Sequence, residues 1–203
     1  MTDQPNSSQL YLITPVGAAA STLGPMLADV MDRFPIACLR IPGAGSEEEL
    51  GRIADLAREI AHARDVAVVI DDHVALAQRH GLDGVHLTDG ARSVRYARKE
   101  LGQDAIVGAF CGTSRHDGMN AAEAGADYVS FGPCGPSALG HAAPAELDLF
   151  QWWSEVIEVP VVAEGALTPA LIGQLAPLSD FIALGAEIWS EPDPVEALAH
   201  LWR

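Results

Sequence analysis

Lysine is almost missing from this chain of 203 residues: Lys99 is the only one, and the other eleven basic residues are arginines. Against 28 acidic residues they leave a formal net charge of −16. A chain so short of positive charge is a poor partner for nucleic acid or an anionic membrane surface, and neither is expected. A single phosphate group stays within reach, because a few local cations or backbone N–H groups can hold one. Cysteine is scarce too. Cys38, Cys111 and Cys134 form an odd set without CxxC spacing, which argues against a disulfide framework or a structural zinc site. Reduced thiols in a cytoplasmic protein are the reading that follows. No apolar run approaches the roughly 18 residues of a membrane span. The opening MTDQPNSSQ has neither the basic nor the apolar segment of a secretory signal, so none is expected. Linkers, low-complexity segments and close repeats are missing as well.

Apolar residues make up 49% of the chain, the share of a globular protein. They fall into eight short runs: LYLITPV (10–16), IACLRI (36–41), AVVIDD (67–72), GVHL (84–87), AIVGAF (105–110), YVSFG (128–132), PVVAEG (160–165) and FIALG (181–185). Each is nearly continuously apolar, as strands buried on both faces are. Helical patterns lie between them. Residues 46–63 start with a Ser N-cap and three glutamates, and Leu50, Ile53, Leu56, Ala57 and Ile60 follow a 3.6-residue period. Residues 93–101 are short, basic and end at Gly102. Residues 147–157 carry Trp152 and Trp153, and Thr168-Pro169 and Asp193-Pro194 each place a capping residue before an N1 proline. Eight strand–helix units in a chain of this length fit an α/β fold of one kind, a compact (β/α)8 TIM barrel near its lower size limit. A doubly wound open sheet is the alternative. The expected organisation is one domain over 1–203, with residues 1–9 a loosely ordered tail.

In such a barrel the chemistry sits at the carboxyl ends of the strands. Arg40 lies in an otherwise apolar run, where an unpartnered charge is costly, so it is expected to meet an anion: Asp71, Asp72 or a substrate phosphate. Asp71 and Asp72 end the third run and Asp89 follows the fourth. Carboxylates so grouped suit Mg²⁺, which takes one or two of them and fills its remaining positions with water or phosphate. The alternative is that strand alternation turns only one of Asp71 and Asp72 inward and leaves the other to cap a helix. Gly165-Ala166 and Gly185-Ala186 follow the last two runs, where barrels often hold phosphate on backbone N–H groups. His86 reads as a hydrogen-bonded core histidine, and Cys111 and Cys134 as packing residues.

Six stretches resemble the thiamine-phosphate synthase/TenI family: LYLITP, CLRIPG (38–43), VVIDDHVALAQRHGLDGVHLTDG (68–90), GADYVSFGP (125–133), VPVVAEGAL (159–167) and FIALGAEIW (181–189). The resemblance spans nearly the whole chain and implies the same barrel. It implies a transferase of thiamine biosynthesis that joins an aminopyrimidine pyrophosphate to a thiazole phosphate with Mg²⁺. On that reading Arg40 clamps pyrophosphate, Asp71 and Ser137 belong to the catalytic group, Asp72 and Asp89 hold the metal, and Gly165, Ala166, Gly185 and Ala186 bind the thiazole phosphate. Several positions depart from the family pattern. The lysine that follows the arginine of the second strand is absent, the serine of the fifth strand's motif is Phe110, the loop after the sixth strand keeps Ser137 but no lysine, and Glu164 replaces an isoleucine. A second reading therefore stands beside the first: a diverged, non-catalytic paralogue that binds a small phosphorylated ligand as carrier or regulator. In the first reading Arg92 or Arg115 could compensate in part for the missing cations. A homo-oligomer is compatible with both.

Overall fold

A computed structural model describes residues 8–136 and 143–202. Eight parallel strands close into a ring in sequence order: β1 (Gln9–Ile13), β2 (Ile36–Ile41), β3 (Ala67–Asp71), β4 (Gly84–Leu87), β5 (Ile106–Phe110), β6 (Tyr128–Phe131), β7 (Val161–Glu164) and β8 (Phe181–Leu184). Around them run α1 (Ala20–Arg33), α2 (Glu47–His62), α3 (Val74–His80), α4 (Val94–Leu101), α5 (Arg115–Ala124), α6 (Leu147–Val156), α7 (Pro169–Leu175), α8 (Ala186–Trp189) and α9 (Pro194–Leu201). This is the expected (β/α)8 barrel, and the seam that closes it pairs β1 with β8, Leu10 beside Ile182. Ser8, just ahead of β1, is buried, and its hydroxyl donates to the Ser179 carbonyl at 2.7 Å.

Strand alternation divides the apolar residues into two cores. Outward-facing Leu10, Leu39, Ile70, Val85, Val129 and Ile182 pack under the helices, together with Leu27, Ala54, Phe150 and Trp153. Inward-facing Tyr11, Cys38, Val69, Tyr128, Val162 and Ala183 fill the lumen. Gly108 on β5 belongs to that inner layer by necessity, because a Cβ there would collide with the Tyr128 ring. Trp153 is fully buried against Phe131, so one tryptophan of the pair is core. Its neighbour Trp152 lies under the Arg115 guanidinium, 5.0 Å from its ring centre.

Four of the helices, α2, α5, α7 and α9, begin where a side chain satisfies a free N–H group. Ser46 and Glu49 form a reciprocal capping box on α2. Thr168 caps α7 and Asp193 caps α9, each before an N1 proline. At the opposite end of the barrel three aspartates clasp neighbouring strands. Asp83, Asp127 and Asp180, just ahead of β4, β6 and β8, accept from Val68 N (2.7 Å), Val107 N (2.7 Å) and Val161 N (2.8 Å). Among the described residues no helix is long and apolar enough to cross a membrane.

Candidate functional site

Among the described residues one connected chain of polar groups runs through the lumen. β2 carries Arg40 inward, β3 Asp71, β4 His86, β6 Tyr128 and β7 Glu164. Arg40 is the only buried Arg or Lys among the described residues. Its Nη1 donates to Glu164 Oε2 at 2.7 Å and to His86 Nε2 at 2.9 Å, which engages both hydrogens of that nitrogen. Nε lies 3.4 Å from Asp71 Oδ1, too long and poorly aimed for a hydrogen bond, so both atoms stay buried without one. Because a guanidinium only donates, His86 Nε2 is an acceptor and Nδ1 bears the proton. That nitrogen then donates to Tyr128 Oη at 2.9 Å, and Tyr128 Oη is 2.8 Å from Tyr11 Oη. One relay thus runs from the barrel mouth to its centre.

Electrostatics fixes the charge of each member. Burial opposes the charge of Arg40, but Glu164, Tyr11 and Asp71 beside it outweigh that, and its hold on its proton is raised. Burial, then the Arg40 charge, pushes the His86 imidazole well below its usual 6.5, so it is neutral. Burial raises Tyr11 and Tyr128 well above 10. Asp71 is the exception that titrates within reach of neutrality. Burial and the nearby Glu164 and Asp72 carboxylates push it from 3.8 to about 6, against the pull of Arg40.

Asp72 turns away from this chain, as alternation requires. Its backbone is left-handed (φ +57°), and its carboxylate accepts from Thr88 N (2.8 Å) and Thr88 Oγ1 (2.5 Å). Asp89, the next residue after Thr88, accepts from Ser93 Oγ at 2.7 Å. Among the described residues no three His, Cys, Asp or Glu side chains are grouped to hold a metal ion on their own. The loops after β7 and β8 are joined by another carboxylate: Glu187 accepts from Gly185 N (2.9 Å) and Leu167 N (3.2 Å). Gly165 and Ala166 are both left-handed (φ +87° and +53°), and Ala186 opens α8. Ser137 lies outside the described residues. A cavity of about 400 Å³ opens at the ends of β1 and β2, walled by Thr14, Val16, Ile41, Pro42, Leu50 and Ile53.

Among the described residues no second cation reaches Arg40. Arg115 bonds the Asp148 carboxylate at 2.8 Å and covers Trp152, and Arg92 and Lys99 are exposed. The thiols of Cys111 and Cys134 are buried, and burial pushes both up to about 12, which leaves them inert as nucleophiles.

The family model for thiamine monophosphate synthase matches residues 10–188 of this chain. The chain belongs to the thiamine monophosphate synthase family. The thiamine-phosphate synthase of Rhodospirillum centenum is 40% identical to it over 200 residues, covering 94% of each chain. That of Erythrobacter litoralis is 38% identical over 212 residues, covering 95% of this chain and 94% of its own. Among solved structures, a thiamine phosphate pyrophosphorylase from Pyrococcus furiosus superposes with a TM-score of 0.81 at 22% identity, covering 97% of this chain and 95% of its own. That last likeness speaks for the barrel alone.

Within this synthase family member, the residues that sequence reasoning marked do not all meet. Arg40 and Asp71 come together, while Asp72 and Asp89 stand at a neighbouring rim with partners of their own. Glu164 was visible only as an odd acid at a strand end. Its pairing with Arg40 went unseen, as did the parts of Tyr11, Tyr128 and the partnerless Ser130 hydroxyl. Counting by twos back from Arg40 and Glu164 would have put Cys38 and Val162 in the same inner layer, the signal that both side chains face the lumen.

Proposed function

We propose that this chain is a transferase of thiamine biosynthesis that joins an aminopyrimidine pyrophosphate to a thiazole phosphate. A bond to the thiazole forms as the bond to pyrophosphate breaks, and pyrophosphate leaves. The observation that carries the proposal is 40% identity to a thiamine-phosphate synthase across 94% of both chains. Arg40 would meet the pyrophosphate as the buried cation of the site. The backbone of Gly165, Ala166, Gly185 and Ala186 would hold the thiazole phosphate, which takes the place of the Glu187 carboxylate on the Gly185 amide. In the cavity at the ends of β1 and β2, Val16, Ile41, Leu50 and Ile53 offer an apolar wall for a heteroaromatic ring. Asp71, with its carboxyl raised to about 6, would exchange a proton near neutral pH.

The donors at the rim fit Mg²⁺. Asp72 and Asp89 are carboxylates anchored by Thr88 and Ser93, each with lone pairs left over, and this ion needs no more than one or two such ligands when phosphate oxygens complete its shell. Bound there, it would neutralise charge on the pyrophosphate. The three free, buried cysteines support a place in the reducing cytoplasm. Mixing the purified chain with both precursors and Mg²⁺ tests the proposal: thiamine phosphate and pyrophosphate should appear in equal amounts. Binding of both precursors without product would refute it.

A further inference from the structure

Arg40 already has an anion. Glu164 holds Nη1 at 2.7 Å from β7, across the lumen from β2, and His86 takes the other hydrogen of the same nitrogen. Both side chains of the pair are nearly buried, at 10% and 13% exposure, and a second carboxylate, Asp71, stands 3.4 Å from Nε. One positive charge therefore faces two acids, with no other buried Arg or Lys among the described residues to tip the balance. A further anion arriving at Arg40 meets like charges at short range in a poorly screened place, where repulsion is strong.

We propose that Glu164 is a resident anion that competes with the substrate's pyrophosphate for Arg40 and so sets how tightly this site holds anions. The inference rests on the reading of Arg40 as the pyrophosphate cation. Glu164 sits on the last residue of β7, at the rim, so its carboxylate can be exchanged for a phosphate oxygen without moving the strand. It acts as an internal threshold: only a ligand that brings enough of its own binding energy displaces it, and a lone inorganic anion does not.

Calorimetric titration of inorganic pyrophosphate into the full chain tests this without any need for turnover. Glu164→Gln and Glu164→Leu should each bind pyrophosphate at least about tenfold more tightly than the parent, since one of two repelling charges is gone. Glu164→Asp keeps the charge balance on a shorter arm, serves where the neutral variants fail to fold, and should show a smaller gain. Melting temperatures identify the folded variants. Unchanged or weaker pyrophosphate binding in the folded variants would overturn the proposal, because Glu164 would then merely position Arg40. A parent that couples no precursors, beside variants that gain affinity, supports the role of Glu164 and removes the synthase reading. Turnover by the parent without any gain in the variants does the reverse.

Discussion

Asp71→Asn should change how stability depends on pH, and the size of the change follows from the site. In the folded protein the Asp71 carboxyl is raised from 3.8 to about 6, chiefly by burial. A raised acid keeps its proton in the folded state over a range where the unfolded chain has lost it. Its contribution to stability is therefore fully present below about pH 4 and is lost as the pH rises through about 6. Roughly two pH units at about 1.4 kcal/mol each give a loss of about 3 kcal/mol across that window. Asparagine copies the neutral carboxyl and does not titrate. The difference in unfolding free energy, variant minus parent, should thus grow by about 3 kcal/mol in the variant's favour between pH 4 and pH 7. Urea unfolding at a series of pH values measures it. The subtraction removes the other 27 acidic residues, whose titration is common to both proteins, and any fixed packing cost of the substitution. A difference that stays flat with pH would show that Arg40 compensates Asp71 fully. A difference that moves against the variant as pH rises would show that the pair stabilises the fold, and either result would refute the reasoning.

Other consequences are as direct. Arg40→Met leaves Asp71 and Glu164 buried without their cation, so unfolding free energy at neutral pH should drop by about 3–5 kcal/mol, and coupling activity, followed as thiamine phosphate formed, by about a hundredfold or more. Ala166 holds a left-handed φ of +53°, which costs a residue with a Cβ roughly 1 kcal/mol. Ala166→Gly should recover about that much in a denaturant titration, and a loss of stability would show that the alanine methyl packs. Gly108→Ala drives a methyl group into the Tyr128 ring and should cost about 1–3 kcal/mol by thermal melting.

The strands were readable because a strand buried on both faces leaves a continuous apolar run, and all eight runs begin and end within about three residues of the observed strands. Helices α2, α7 and α9 were readable from their caps, and α4 and α6 from their composition. Three others were not: α1 starts at Ala20 with no side-chain cap and carries Pro25 inside it, α3 is seven residues long with no cap bond, and α5, though Ser114 caps it, is only ten residues long and buries little more than Gly118 and Ala121. The site divides in the same way. Arg40 announced itself as a charge among apolar neighbours and Asp71 as a strand-end acid. The Arg40–Glu164 pair did not, because β2 and β7 are not neighbours. Their meeting depends on the stagger with which the barrel closes, and that is a property of all eight strands together.

The aspartate clasps at the far end of the barrel bear on the order in which the ring is put together. Asp83, Asp127 and Asp180 each tie strands that lie 15, 20 and 19 residues apart, short loops whose closure costs little entropy. The seam is different: Ser8 reaches Ser179 across 171 residues, a contact the chain makes late. Pulse-labelled amide exchange during refolding should therefore protect Val107 and Val161 before Gln9, whose N–H bonds the Asp180 carbonyl; simultaneous protection would contradict this. Arg40 and Glu164 stand on opposite sides of that seam. The ion pair at the heart of the site can form only when the last gap in the ring shuts, so the appearance of anion control and the completion of the fold are a single event.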